Sequence, residues 1–171
     1  PDSFYSRSYC SNAEEVFRIA ERMIEEGAHI LDLGAESTRP GSKEVPVKLQ
    51  LERLLPVVSK LTNEFEIPIS VDTYKPEIGS AVLQEGAVVI NDVSGLQWGN
   101  EMALIVAKYE AGLVLMHMQG KPETMQENPS YKDVVGEVLS FLRQSVKTAE
   151  MAGIRPERIA VDPGIGFGKT L

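Results

Sequence analysis

The chain is 171 residues long with 43% hydrophobic and 25% charged residues, the balance of a soluble globular domain and not of a disordered, collagen-like or membrane-embedded chain. Seventeen basic residues against 25 acidic ones leave a formal net charge of −8, so no broad basic face is offered to nucleic acid, and neither nucleic acid nor membrane is an expected partner. The only cysteine, Cys10, excludes an internal disulfide and fits a reducing, cytoplasmic compartment, and two histidines are too few for a His-rich metal site. Proline at position 1 and a last stretch, Gly166 to Leu171, that stops within a glycine-rich loop lead us to expect a piece of a longer protein with no signal peptide.

Short β-branched runs alternate with amphipathic stretches along the chain. Ser11 and Glu14 have capping-box spacing, and Val16, Ile19, Ala20, Met23 and Ile24 then repeat at three and four residues, so a first helix is predicted that Gly27 ends. A buried strand is predicted over Ala28–Leu33, followed by a polar loop to about Val45. A second helix is predicted from about Val47 to Asn63, with Leu51, Leu54, Leu55, Val58 and Leu61 on one side and a kink or a lost hydrogen bond at Pro56. Next come a strand at Ile67–Val71, a helix at Pro76–Glu85, a strand at Ala87–Ile90 and a helix at Glu101–Ala111. A strand at Leu113–Met116, a long helix at Tyr131–Ala152 and a strand at Ile159–Val161 complete the series. The alternation predicts a parallel α/β fold, either a doubly wound sheet or a barrel.

Polar residues recur just after strand after strand: Glu36-Ser37-Thr38, Asp72, Asn91-Asp92, His117 and Asp162. At the carboxyl ends of parallel strands they share one rim, where a (β/α)8 barrel keeps its chemistry. Asp72, Asn91 and Asp162 also have plainer readings, as a helix cap, a turn former and the start of an Asp-Pro-Gly turn. Together they suit a flat heterocycle whose edge presents several N–H donors. In the loop Gly34-Ala-Glu-Ser-Thr-Arg-Pro-Gly41, Arg39 is either a solvated charge or an anion- or ring-binding group. His117 reads as a packed or hydrogen-bonded strand-end residue, and Met116 and Met118 beside it are expected to face opposite sides, one the barrel interior and one the helices. Trp98, Cys10 and Lys169 carry no sharp signal of their own. The ending Asp162-Pro-Gly-Ile-Gly-Phe-Gly-Lys169 is not a phosphate loop, because Pro163 stands where a Walker glycine is needed, nor a dinucleotide fingerprint, whose third glycine would fall at Lys169.

The segments Pro1-Asp-Ser-Phe4, Gly34 to Gly41, Pro68-Ile-Ser-Val-Asp-Thr73, Ile90-Asn-Asp-Val-Ser-Gly95, Met116-His-Met118 and Asp162 to Lys169 stand in the order found in the dihydropteroate synthase family of pterin-binding enzymes, which the whole chain resembles. The resemblance implies a (β/α)8 TIM barrel of roughly 250 residues, here an incomplete barrel covering about strands two to six, with residues 1–171 a single domain truncated at both ends. It implies a transferase that joins 6-hydroxymethyl-7,8-dihydropterin diphosphate to 4-aminobenzoate and releases pyrophosphate, with Mg2+ as cofactor. Asp72, Asn91 and Asp162 would then hold the pterin, Thr38 the diphosphate, and Arg39, Pro40, Phe4 and Phe167 the aminobenzoate, with Ser37, Met116, Gly164 and Lys169 as secondary candidates. The family's metal-binding asparagine would lie before Pro1, so no metal ligand is expected within the chain. The family's first loop continues with Asp-Gly where this chain has Tyr5-Ser6-Arg7. The parent is expected to be a homodimer, and the fragment alone to be inactive. The alternative from another class is the pterin-binding module of a corrinoid-dependent methyltransferase, which shares the rim but has no use for aminobenzoate.

Overall fold

A computed structural model describes residues 13–37, 44–120, 124–126 and 128–169. The helices are α1 (Ala13–Glu25), α2 (Val47–Glu64), α3 (Pro76–Gln84), α4 (Glu101–Lys108) and α5 (Val134–Met151), and the strands are β1 (Leu31–Gly34), β2 (Ile69–Asp72), β3 (Val89–Asp92), β4 (Gly112–Met116) and β5 (Ile159–Asp162). The strands form one sheet in the order β1-β2-β3-β4-β5, every pair parallel.

That order decides what composition left open. A doubly wound sheet reverses direction at a switch point, whereas here each strand lies beside its predecessor, as successive right-handed βαβ crossovers place them in a barrel wall. Among the described residues β1 pairs only with β2 and β5 only with β4, so the wall is an open arc.

The two faces of the arc have opposite chemistry because strand side chains alternate. Leu31, Ile69, Val71, Ile90, Leu113 and Leu115 point to the helices and are buried with Leu54, Val58, Leu61, Ile78, Val82, Ala103 and Val106 in the main core. Each of these leucine, isoleucine and valine side chains contributes about 1.5–3 kcal/mol of burial. The alternate row carries Asp32, Ser70, Asp72, Val89 and Asn91 on the concave side, with Gly34, Asp72, Asn91 and Val114 in register across four strands.

Several predicted boundaries move for local reasons. The strand predicted from Ala28 begins at Leu31, because the Ala28 N–H still donates to the Met23 carbonyl in the closing turn of α1. The helix predicted to Ala111 ends at Lys108, where the chain turns through Glu110 with a φ of 52°. The one predicted from Tyr131 begins at Val134, capped by the Asp133 carboxylate, which accepts from the Gly136 N–H at 3.1 Å. α2 runs through Pro56, which is exposed, as is Glu52, whose carbonyl it leaves without a helix donor. Met116 and Met118 do not face opposite sides. Both are buried in one satellite cluster with Val93 and Met125, against Tyr74 and Phe167, since residues two apart on an extended chain share a face.

Candidate functional site

Parallel strands end together, so the residues that close β1, β2, β3 and β5 fall on one rim. Asp72, last in β2, lies beside Gly34 and Asn91 in the neighbouring strands. Gly34 leaves room next to it: a Cβ there would stand 3.6 Å from the Asp72 Cβ. The Asn91 amide donates at 3.4 Å to the carboxylate of Asp32 on β1, which brings Asp32, Asp72 and Asn91 into one group. Burial, followed by the repulsion of Asp32, Asp92 and Glu36, pushes the Asp72 carboxyl up to about 8. Asp72 does not cap the next helix, whose N-cap is Lys75.

Asp162 stands on the same rim, at the end of β5 opposite Met116. Its side chain is committed on one oxygen, which accepts from the Gly164 N–H at 2.8 Å. Asp162 thus forms the turn and also stands at the strand end on the rim. Gly164, at φ +66°, sits so close to β4 that a Cβ would collide with the His117 carbonyl. Turn formation after β3 falls to Asp92 and not to Asn91: the buried Asp92 carboxylate accepts from Ser94 N–H at 2.9 Å and Leu96 N–H at 3.0 Å. Burial raises its pKa, and hydrogen bonds from Ser94, Leu96 and Gly95 oppose the rise.

His117 is a packed strand-end residue, as the sequence suggests. Its ring meets Phe141 edge-on at 4.9 Å, and its pKa is lowered by burial and by Lys169. Lys169 turns its ammonium inward, toward the His117 ring nitrogen Nδ1 at 2.9 Å and the carbonyls of Gly164, Phe167 and His117 at 2.9, 3.1 and 3.2 Å. Phe167 packs, half-buried, on the methionine cluster that includes Met116. Ser37 is half-buried after β1. Thr38, Arg39, Pro40 and Phe4 lie outside the described residues, as do Cys10 and the Tyr5-Ser6-Arg7 loop.

Two features were missed from sequence. Asp32 was missed although it interrupts an apolar strand run, Ile30-Leu31-Asp32-Leu33, on the face that Asp72 also uses. The second is the clamp at the foot of the arginine loop. The Glu36 carboxylate accepts from the Val45 N–H at 2.6 Å and from the Gln50 amide at 3.1 Å, and it pairs with the Lys75 ammonium at 3.3 Å. Gln50 and Lys75 also donate to the Val45 carbonyl, so both ends of the segment between Glu36 and Val45 are tied to α2 and to the chain after β2. Gln50 is 1% exposed, and its place in the Leu54, Val58 and Leu61 row was the available sign. Among the described residues no group of three His, Cys, Asp or Glu side chains converges as a metal cage, and no helix is long and apolar enough to cross a membrane.

The family pattern described as "Pterin binding enzyme" matches residues 1–171. The chain is 41% identical over 170 residues to the dihydropteroate synthase of Synechocystis sp., an alignment covering 99% of this chain and 59% of that protein. It is similar to the crystal structure of Yersinia pestis dihydropteroate synthase in a sulfonamide drug complex, with a TM-score of 0.93 and 38% identity over 99% of this chain and 62% of that one. The Xanthomonas albilineans dihydropteroate synthase solved with 4-aminobenzoic acid gives a TM-score of 0.86 and 44% identity over 99% and 60% of the two chains. The chain thus spans about three fifths of the length of the relatives it matches.

Proposed function

The chain belongs to the pterin-binding enzyme family, and we propose that it forms the substrate-binding arc of a dihydropteroate synthase, a transferase that joins 6-hydroxymethyl-7,8-dihydropterin diphosphate to 4-aminobenzoate. The observation that carries this reading is the meeting of Asp32, Asp72 and Asn91 on the concave rim, with a carboxyl held at about 8 by burial and by neighbouring acids.

A ring whose edge offers several N–H donors suits that group. Two carboxyls and a carboxamide provide the acceptors, and the field that repels the Asp72 charge attracts positive charge on a ligand. The hard step is rupture of the C–O bond to the diphosphate. Pyrophosphate leaves with the bonding pair, and the positive charge on the methylene carbon spreads into the pterin. Carboxylates fixed at the far edge stabilise that charge without reorganising, which is electrostatic preorganisation. The arylamine nitrogen then forms the new C–N bond and loses a proton to solvent.

In this assignment Asp72, Asn91 and Asp162 hold the pterin, with Asp32 beside them. Thr38 approaches the diphosphate, Arg39, Pro40, Phe4 and Phe167 border the aminobenzoate, and sulfonamides compete there. Mg2+ belongs to the proposal as a counter-ion of the diphosphate. The described residues build no cage for it, so no step here runs through the metal, which takes its oxygens largely from phosphate in sites of this kind. A cytoplasmic homodimer is the setting proposed for the full-length enzyme.

The test is pyrophosphate release by the full-length protein with Mg2+ and the pterin diphosphate. Release that depends on aminobenzoate is expected. Tight pterin binding with no release in its presence would overturn the synthase reading.

A further inference from the structure

The loop after β5 contains three glycines in left-handed backbone, Gly164, Gly166 and Gly168, at φ +66°, +90° and +61°. Such a chain has little intrinsic preference for one path, yet here the carbonyls of Gly164, Phe167 and His117 converge on a single point. Converging carbonyl dipoles repel one another, and what occupies that point is the Lys169 ammonium, with all three carbonyls and the His117 Nδ1 within 3.2 Å. An ammonium has three donors and no acceptor, so four acceptors exhaust it and none of its hydrogens is left for a ligand. The same donor character makes His117 Nδ1 an acceptor and places the ring proton on Nε2.

Gly164 links this knot to the rim. Its carbonyl accepts from Lys169 and from the Phe167 N–H at 3.0 Å, while its own N–H holds the Asp162 carboxylate at 2.8 Å. Two outer ties, from Gln126 to the Gly166 carbonyl at 2.5 Å and from the Tyr131 hydroxyl to the Gly168 carbonyl at 2.6 Å, hold the far side of the loop. Neither reaches Gly164.

We propose that Lys169 is a positioning residue: its ammonium acts as an internal cation that folds the loop from Pro163 to Gly168 onto β4 and thereby aims the Asp162 carboxylate and the Phe167 ring. It does not bind phosphate, despite the glycine-rich context. The effect on ligands rests on the pterin reading above, whereas the effect on the loop does not.

Hydrogen exchange at the Gly164 and Phe167 amides and affinity for 6-hydroxymethyl-7,8-dihydropterin would be measured in the full-length protein and its variants. Lys169→Met is expected to speed exchange at both amides by about tenfold or more while leaving β2 amides unchanged. It should also weaken pterin binding by about tenfold. In Lys169→Ala, propylammonium should restore pterin affinity toward wild type, and propanol should not. Lys169→Arg keeps the charge and is expected to exchange more slowly than the neutral variants, which gives a second comparison if Lys169→Met does not fold. Unchanged loop exchange in Lys169→Met, or equal rescue by propanol, would overturn the proposal. A wild-type protein that fails to bind the pterin would overturn the pterin reading instead, with the loop amides still deciding the role of Lys169.

Discussion

At neutral pH the Asp72 carboxyl carries a proton in the ligand-free protein, because burial and three neighbouring acids hold its pKa near 8 against an ordinary 3.8. The folded state therefore binds a proton that the unfolded chain has released. The associated stability is complete below about pH 4 and is lost as pH rises through 8. Asp72→Asn should flatten the fall in Tm between those limits, which thermal denaturation at several pH values will check. A pterin that donates to this carboxyl will ionise it, so binding below pH 8 should release a proton, seen as a buffer-dependent heat in titration calorimetry. Asp162→Ala should weaken pterin binding by about 2 kcal/mol, the scale of a charge-assisted hydrogen bond. Unchanged affinity would remove Asp162 from the site. Asp72, Asn91 and Asp162 were legible because each ends an apolar strand run. Asp32 was not singled out, because an acid inside a strand declares its face only when the register with β2 and β3 is known.

Among the elements, the junction of α2 with the chain after β2 ties both ends of the segment that carries Thr38, Arg39 and Pro40, the residues to which the proposal gives the diphosphate and the aminobenzoate. The Lys75 and Glu36 side chains are only 9% and 10% exposed. Lys75→Met would remove the cation shared by Glu36 and Glu44 and leave Glu36 held only by the Val45 N–H and the Gln50 amide, at a cost of about 1.5–3 kcal/mol. Under the proposed assignment it should also raise the aminobenzoate KM of the full-length protein. An ordinary helix cap makes a useful comparison. Asp133→Ala at the start of α5 removes the bond to Gly136 and should cost about 1 kcal/mol, with KM unchanged. Denaturant melts of the two variants, read beside their kinetics, separate a clamp on the loop from general stability.

For the whole molecule, the open arc has consequences of its own. Among the described residues β5 has a single neighbour, and Val161 within it and Ile165 just after it are 51% and 85% exposed. An unpaired strand edge beside apolar surface is a template for association. The 171-residue chain expressed alone is therefore expected to bind a hydrophobic dye and to elute above its 18.8 kDa mass in size-exclusion chromatography. A dye-silent monomer would show that the edge is covered.

The sequence by itself determined the alternation of strand and helix, the helix faces that form the core and the polar residues at the strand ends, because periodicity and turn chemistry are local and survive without a partner. The family resemblance lay in short motifs of the same local kind. Tertiary structure alone decided that the sheet winds in one direction, that Asp32 joins Asp72 and Asn91, and that Glu36, Gln50 and Lys75 tie the loop ends. It also decided that the Lys169 ammonium is spent on backbone. Each of these depends on residues distant in sequence being brought together by strand register and packing, where hydrogen-bond and charge partners are assigned by position.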